Sequence, residues 1–185
     1  SSYERGAFTG EVSTEMLKSL GIEYVIIGHS ERREFFSEDN KTLHEKVELS
    51  LANKITPIFC CGETLDVRNK GTHKDFVLSQ LQETIYNLSA DDFSKVIIAY
   101  EPIWAIGSGM TASVDDIQEM HSAIRSSIKT NYGSAISRNT SILYGGSVKP
   151  INAKDIFDLE DVNGGLIGGA SLVANDFFDI VNSIS

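Results

Sequence analysis

This 185-residue sequence is poor in cysteine, proline and tryptophan, with two, three and one of these residues respectively. The two cysteines, Cys60 and Cys61, are adjacent, so they form neither a disulfide framework nor a Cys-x-x-Cys metal or redox motif. Apolar residues precede them, and we expect the pair to end a buried strand, which suits a reducing cytosol. The scarcity of cysteine therefore excludes a disulfide-stapled secreted domain.

The charge and hydropathy patterns remove further classes of protein. The formal net charge is −10 and no lysine–arginine cluster offsets it, so we expect no nucleic-acid partner and no anionic membrane surface. A small anionic substrate remains compatible, because backbone amides can bind phosphate within an acidic protein. No apolar run approaches the length that spans a bilayer and no signal peptide opens the chain, so a cytoplasmic location is expected.

Strand-like runs alternate with amphipathic helical patterns, which predicts an α/β fold with a parallel sheet. Five strands are predicted, at residues 22–27, 55–60, 96–100, 141–144 and 164–167. Helical spacing of apolar residues occurs in four sets: Leu43, Val47 and Leu51; Val77, Leu81 and Ile85; Ile117, Met120, Ile124 and Ile128; and Val173, Phe177, Ile180 and Ile184. No low-complexity linker divides residues 1–185, so a single domain is predicted. Both a doubly wound sheet and part of a barrel fit this order, since a full eight-stranded barrel takes about 250 residues.

The segment 96–109 holds the most informative pattern in the chain. An apolar run leads to Glu101, which places a carboxylate at the carboxyl end of a strand, where parallel α/β folds hold their chemistry. Pro102 restricts the backbone at the start of the segment that follows, whereas Gly107 and Gly109 allow many backbone conformations at its end. We interpret Glu101 as a base beneath a lid.

A histidine follows the first predicted strand. His29 precedes a helix that is predicted to start at Ser30 or Glu31, and the positive end of a helix dipole disfavours imidazolium. We therefore expect a neutral His29 that can donate a hydrogen bond to a carbonyl, with a histidine packed at a strand end as the structural alternative. No pair of histidines has metal-ligand spacing, so no metal is expected.

Three glycine-rich turns, at residues 107–109, 145–147 and 168–171, also follow predicted strands. Each can aim backbone N–H groups at one anion, the last of them at the start of the carboxyl-terminal helix, which predicts a phosphate site. The first turn also matches the Gly-x-Gly-x-x-Gly/Ala dinucleotide fingerprint. Six residues separate it from its strand, which is too long for a tight phosphate turn, so no nucleotide cofactor is expected.

Taken together, these segments resemble the triosephosphate isomerase family. The resemblance is carried by Gly6–Ser13, Gly28–Arg33, Cys60–Thr64, Ala99–Gly109, Tyr144–Ser147 and Gly168–Ser171. It implies a (β/α)8 TIM barrel, of which this chain covers about five carboxyl-terminal strand–helix units. It also implies an intramolecular oxidoreductase that interconverts dihydroxyacetone phosphate and D-glyceraldehyde 3-phosphate through an enediol(ate), without metal or cofactor. The neutral histidine is a known property of this family.

The resemblance further implies a role for each site residue. Glu101 would be the general base, and neutral His29 would be the electrophile that polarises the carbonyl. The substrate phosphate would be bound by Gly107, Ser147, Gly168 and Gly169. The lid, from Pro102 to Gly109, would exclude water. Support for the lid and the site would come from Glu31, Glu63, Trp104 and Tyr144.

The loop Gly6–Ser13, which includes Thr9, resembles the family loop that reaches into a neighbouring subunit and so implies a homodimer. Ser108, Met110 and Asn163 depart from the family pattern, and we expect these differences to tune activity rather than abolish it.

A family segment of the Gly-Asn-Trp-Lys type, with a substrate-binding asparagine and lysine, has no counterpart here. We therefore expect an amino-terminally incomplete form of a longer enzyme, without the first three strands, and with 22–27 and 164–167 as unpaired edges. Two alternatives stay open. One is a truncated, catalytically silent fragment. The other is a different phosphate-binding barrel enzyme, such as an aldolase, which should show a buried lysine at a strand end.

Overall fold

The computed structural model describes residues 1–106 and 110–184, in which helices alternate with parallel strands. The first elements are α1 (Thr14–Ser19), β1 (Tyr24–Ile27), α2 (Ser30–Phe35) and α3 (Asn40–Ala52). These are followed by β2 (Thr56–Cys61), α4 (Leu65–Asn69), α5 (His73–Thr84) and α6 (Ala90–Phe93). Next come β3 (Ile97–Tyr100), a 3-10 turn (Ile103–Ala105) and α7 (Val114–Asn139). The last are β4 (Ile142–Tyr144), α8 (Pro150–Phe157), a second 3-10 turn (Gly169–Leu172) and α9 (Ala174–Asn182).

The strands form one sheet in the order β1-β2-β3-β4, and every neighbouring pair is parallel. Phe59 of β2 is in register with Ile98 of β3, which is in register with Ile142 of β4. Parallel neighbours require a crossover between strands, and helices supply it here. The predicted strands 22–27, 55–60, 96–100 and 141–144 are therefore confirmed to within two residues at each end.

The fifth predicted strand, at 164–167, is wrong as a strand, because the structure has one isolated parallel bridge there, between Tyr144 and Gly165. Two backbone hydrogen bonds hold the segment to β4: the Tyr144 N–H donates to Gly164 and the Leu166 N–H donates to Tyr144, both at 2.9 Å. Gly164 has a φ of +145°, which few side-chain-bearing residues adopt and which interrupts a regular ladder. The described residues thus contain four strands and a bridged segment, not five complete strand–helix units.

The core lies on both faces of the central strands. Ile98, Ala99 and Tyr100 of β3 are each at most 1% exposed, as the continuous apolar run predicts for a strand covered on both sides. Helical positions pack into the same core, namely Leu43, Val47, Val77, Leu81, Ile85, Ile117, Met120, Ile124 and Ile128. Gly133 has a φ of +85° and divides α7 into two helical pieces.

The apolar spacing at the carboxyl end is only partly buried. Ile180 is 1% exposed, whereas Val173, Phe177 and Ile184 are between 41% and 54% exposed. Val173 and Ile184 also lie just outside α9, which is shorter than the spacing indicated. The helical periodicity was therefore a correct guide to a helix but not to burial of its whole apolar face.

Strand β1 lies at one edge of the sheet, as predicted. Within the described residues it pairs only with β2, and Tyr24 and Ile26 are 56% and 46% exposed. None of the helices in the described part of the chain has both the length and the apolar character needed to cross a membrane.

Candidate active site

A cavity of about 700 Å³ opens where β1, β3 and β4 end. Several residues that the sequence singled out line it together: His29, Glu31, Glu101, Ser147, Gly168 and Gly169. Gly107, which was predicted to join them, lies outside the described residues. The topology therefore gathers side chains and turns from four separate parts of the sequence into one site.

Glu101 directly follows β3 and is 2% exposed. Its backbone N–H donates to the carbonyl of Cys61 at 2.8 Å, and its Oε2 atom accepts from the backbone N–H of Ser30 at 3.1 Å. Its Oε1 atom lies 3.2 Å from Nε2 of His29. Burial raises the pKa of Glu101, while His29 and the Ser30 N–H oppose that rise. A raised pKa makes this carboxylate a better proton acceptor near neutral pH.

His29 is the N-cap residue of α2. Its Nδ1 atom accepts a hydrogen bond from the backbone N–H of Glu31 at 3.4 Å, so we assign no proton to Nδ1. The ring proton then sits on Nε2, which faces Glu101. This arrangement fits the neutral imidazole that the sequence predicts, with Nε2 directed toward the Glu101 carboxylate. The Glu31 side chain itself is 69% exposed.

Two glycines allow the strand ends to approach Glu101. A Cβ atom on Gly62 would lie 1.8 Å from the Glu101 carbonyl oxygen, and one on Gly145 would lie 2.9 Å from Cγ of the Glu101 side chain. Neither position has room for a side chain, so both glycines are required for this packing.

The other part of the cavity wall carries backbone N–H groups that can bind an anion. None of the N–H groups of Ser147, Gly168 and Gly169 donates to another residue in the described ranges. The prediction that the last glycine turn lies at the start of the carboxyl-terminal helix is wrong in detail. Gly168 caps the 3-10 turn Gly169–Leu172, and α9 begins only after it. Unpartnered amides in a turn can still form an anion-binding nest.

A buried polar cluster adjoins the chain that follows Glu101. Glu63 is fully buried, and its Oε1 atom accepts from the Tyr100 hydroxyl at 3.0 Å and from Nε1 of Trp104 at 2.9 Å. Nη1 of Arg68 also donates to it, at 3.2 Å. Burial, and then the charge of Glu63, raises the pKa of Tyr100, which keeps its hydroxyl protonated as a donor.

Tyr144 is fully buried, and among the described residues its hydroxyl has no hydrogen-bond partner. His121 lies nearby, with its ring centre 5.7 Å from that of Tyr100 and 6.3 Å from that of Tyr144. Tyr144 was selected from its motif, whereas His121 belongs to no motif and only the tertiary structure places it beside these two tyrosines.

Three further residues near the site were missed or underrated by sequence reasoning. Cys60 is buried near the end of β2, as predicted, but its position beside Glu101 was not foreseen. Burial, followed by the charge of Glu101, raises the pKa of its thiol. Lys149 lines the cavity and follows the Gly-Gly-Ser-Val turn directly, a position that could have indicated it. Arg68 belongs to no motif, so only its tertiary contacts reveal it.

Two of the three departures from the family pattern lie in the described residues. Asn163 has a clear structural role, because its Oδ1 atom accepts from Nη2 of Arg125 at 2.7 Å and from the backbone N–H of Ile142 at 2.9 Å. Met110 is 42% exposed. Ser108 lies outside the described residues.

The loop Gly6–Ser13 is a surface loop in the single chain. The Phe8 ring stacks on Tyr3 with 4.2 Å between ring centres, and the Glu11 N–H closes a turn by donating to the Phe8 carbonyl at 3.0 Å. Thr9 is exposed at this turn.

A parallel α/β sheet with a buried carboxylate beside an imidazole, and with glycine-rich turns at its carboxyl end, is typical of phosphate-binding α/β enzymes. No group of three or more potential metal ligands occurs in residues 1–106 and 110–184. The family model described as triosephosphate isomerase matches residues 1–184. This chain belongs to the triosephosphate isomerase family.

Curated relatives agree with that assignment, and each of the following is named triosephosphate isomerase. The chain is 59% identical over 180 residues to the protein of Cytophaga hutchinsonii, and 54% identical over 178 residues to that of Phocaeicola vulgatus. It is 48% identical over 177 residues to the protein of Lactobacillus delbrueckii subsp. lactis. These matches cover 96–97% of this chain and 70–72% of the relatives' lengths.

Proposed function

We propose that this chain interconverts dihydroxyacetone phosphate and D-glyceraldehyde 3-phosphate, with Glu101 as the base and neutral His29 as the electrophile. The observation that carries the proposal is the pairing of the buried Glu101 carboxylate with Nε2 of His29 at 3.2 Å. The same cavity presents backbone amides that have no partner among the described residues. Membership of the triosephosphate isomerase family supports a triose phosphate as the substrate.

The reaction moves a proton between two adjacent carbons of the substrate, one of which carries the carbonyl oxygen and the other a hydroxyl group. Glu101 removes a proton from the carbon next to the carbonyl, and the electron pair forms an enediolate. The Nε2–H of His29 donates to the oxygen where negative charge develops. Glu101 then returns the proton to the former carbonyl carbon. The proton of the neighbouring hydroxyl passes to the former carbonyl oxygen, relayed by Nε2 of His29, so that the new carbonyl forms on the carbon that first lost its proton. One carbon is oxidised and its neighbour is reduced within the same molecule, so the chemistry requires no external oxidant or reductant.

The contacts of the Glu101 carboxylate add one requirement to this mechanism. The Glu101 carboxylate is engaged by the Ser30 N–H and by His29, so it must leave these partners to reach a substrate carbon. Ser147, Gly168 and Gly169 would bind the phosphate meanwhile, through backbone N–H groups. Holding the phosphate at a fixed place orients the reacting carbons between base and electrophile.

We also propose that residues 1–185 form one domain that is part of a (β/α)8 barrel, and that the protein is a homodimer. The parallel order of the strands and the bridged segment after β4 support the barrel. The loop Gly6–Ser13 supports the dimer, because it exposes Phe8 by 39% and Val12 by 52%. Light scattering coupled to size-exclusion chromatography tests the dimer, and a monomer mass at micromolar concentration contradicts it.

The activity is tested by coupled isomerase assays on both triose phosphates, with the wild-type chain beside Glu101→Gln. The variant should lose about 10²- to 10⁴-fold in kcat, because an amide cannot accept the proton. Glu160→Gln is the matched control, since Glu160 is exposed and does not line the cavity. A wild-type chain with no activity, or a Glu101→Gln variant with full activity, would contradict the proposal. The first result would favour a catalytically silent fragment.

An aldolase that works through a Schiff base is less well supported. Lys149 lines the cavity, but it is exposed and precedes the first turn of α8, whereas a Schiff-base lysine is activated by burial at the end of a strand. Borohydride trapping with dihydroxyacetone phosphate, followed by mass spectrometry, should therefore give no adduct.

A further inference from the structure

One guanidinium group bridges the two ends of the chain segment that follows Glu101. Nη1 of Arg68 donates to Oε1 of Glu63 at 3.2 Å, and Nη2 of Arg68 donates to Oδ1 of Asp116. The guanidinium carbon also lies 5.2 Å from the centre of the Trp104 ring, within the range of a cation–π contact. The Arg68 side chain is only 14% exposed, so these contacts are shielded from solvent.

The first of these contacts controls the turn that begins two residues after Glu101. Trp104 lies in the 3-10 turn Ile103–Ala105, and its Nε1 atom donates to the same carboxylate oxygen that Arg68 contacts. The backbone carbonyl of Glu63 also accepts from the Ile103 N–H at 3.1 Å. Arg68 and Glu63 together therefore hold both the backbone and the indole of this turn.

The second contact lies at the start of α7. Asp116 lies in the first turn of α7 and forms a capping box with Ser113, whose hydroxyl and backbone N–H both donate to the Asp116 carboxylate. Asp116 thus links Arg68 to the start of α7. In the described part of the chain, Arg68 contacts both the turn after Glu101 and this helix start.

The pairing depends on the shape of an arginine. A planar guanidinium presents separate N–H groups to two carboxylates at once, which a lysine ammonium cannot do with the same fixed geometry. The neighbouring carboxylate Glu119 is held mainly by Lys74 at 2.8 Å and His73 at 3.3 Å, and lies 3.8 Å from Arg68. Lys74 and His73 make no ion pair with Glu63 or Asp116, so they do not duplicate the bridge.

We propose that Arg68 is a positioning residue for the reaction proposed above. It fixes the turn that carries Trp104 against the start of α7, and so sets the place of Glu101 two residues before that turn. Arg68 does not line the cavity, so it acts through Glu63 and Trp104 rather than on the substrate. The inference rests on the proposed function for its catalytic consequence, but the structural part can be measured without turnover.

Trp104 provides that measurement, because it is the only tryptophan in the chain. Arg68→Met should shift Trp104 emission to longer wavelength and increase its quenching by acrylamide. The substitution removes the guanidinium that contacts the indole ring and that also holds Glu63, the hydrogen-bond acceptor of the indole N–H. The kcat of this variant should fall about 10- to 100-fold, because small misplacement of a catalytic group is costly, while KM changes less than about threefold. Arg68→Lys should restore part of both signals.

The matched control is Arg125→Met. Arg125 is 17% exposed and pairs with Asp161 at 2.7 Å, so this variant also breaks a shielded arginine–carboxylate pair, but Arg125 touches neither Glu63 nor Trp104. It should leave Trp104 emission and quenching unchanged at temperatures where it is folded. A general loss of stability would affect both variants, whereas loss of positioning affects only Arg68→Met.

The outcomes separate the two proposals. Wild-type emission and quenching in folded Arg68→Met, or an equal loss of kcat in Arg125→Met, would overturn the positioning role. If Arg68→Met does not fold, Arg68→Lys is judged by the same readouts, and wild-type values of emission and kcat would overturn the role. If the wild-type chain shows no turnover, the proposed function fails, and the Trp104 signals alone confirm or overturn the placement of the turn.

Discussion

Acidification should destabilise the fold through His121, which is fully buried on α7. Its Nδ1 atom lies 3.3 Å from the Asp161 carbonyl, and among the described residues its Nε2 atom has no partner. Its ring packs edge-on against Tyr100. A second proton would place a charge on Nε2 in this apolar environment, so burial lowers the pKa of His121 from 6.5 to about 4.

The sign and size of the effect follow from linkage. Because the pKa is lower in the folded state, the unfolded chain binds the proton more readily, and stability falls as the pH drops from 6.5 toward 4. The full gap between these two pKa values corresponds to at most about 3 kcal/mol, and at about pH 5 the loss is about 2 kcal/mol. Above about pH 7.5 almost none of the loss remains.

Urea unfolding at about pH 7.5 and about pH 5 measures this loss, with wild type beside His121→Gln. The variant keeps an amide N–H for the Asp161 carbonyl but does not titrate, so its change in unfolding free energy between the two pH values should be smaller by about 2 kcal/mol. Hydrogen bonds and nearby cations lower the pKa of Glu38 despite its burial, and this group adds acid sensitivity mainly at lower pH and in both proteins. Equal pH dependence in the two proteins would refute the reasoning.

Three further changes have defined outcomes. Gly145→Ala should lower kcat by about 10-fold or more, because the added Cβ would lie 2.9 Å from Cγ of Glu101 and displace that side chain. Steady-state kinetics that match wild type would contradict the close packing. Cys60 and Cys61 are buried and the pKa of each thiol is raised, so Ellman's reagent should label neither cysteine in the folded chain and both in denaturant. Rapid labelling of the folded chain would contradict this burial and show that the end of β2 opens. Lys149→Gln should lower kcat/KM about 3- to 10-fold at low salt, because it removes a cation from the cavity wall, and the difference from wild type should be smaller at high salt. A difference in kcat/KM that does not depend on salt would show that Lys149 does not act through its charge.

Local sequence determined the elements on which the site is built. The apolar run before Tyr100 requires burial on both faces, so β3 and the position of Glu101 at its carboxyl end could be predicted without coordinates. The helix that follows His29 was likewise evident, and with it the histidine's place at a helix N-terminus. These features depend on residues close together in the chain, where periodicity and end signals are strong.

Contacts between distant segments were decided only by the tertiary structure. The Arg68–Asp116 hydrogen bond joins residues 48 positions apart, and no motif connects them. The segment at 164–167 was predicted as a strand from its composition. Whether such a segment pairs depends on the strands beside it, and in the structure it forms only one bridge, between Gly165 and Tyr144. Burial of α9 could not be predicted from the sequence either. The periodicity of its residues identifies an apolar face, but that face is buried only where another part of the structure packs against it. Sequence therefore specified which groups stand at the strand ends, while folding set the distances between them, since those distances depend on how separate crossovers pack around one core.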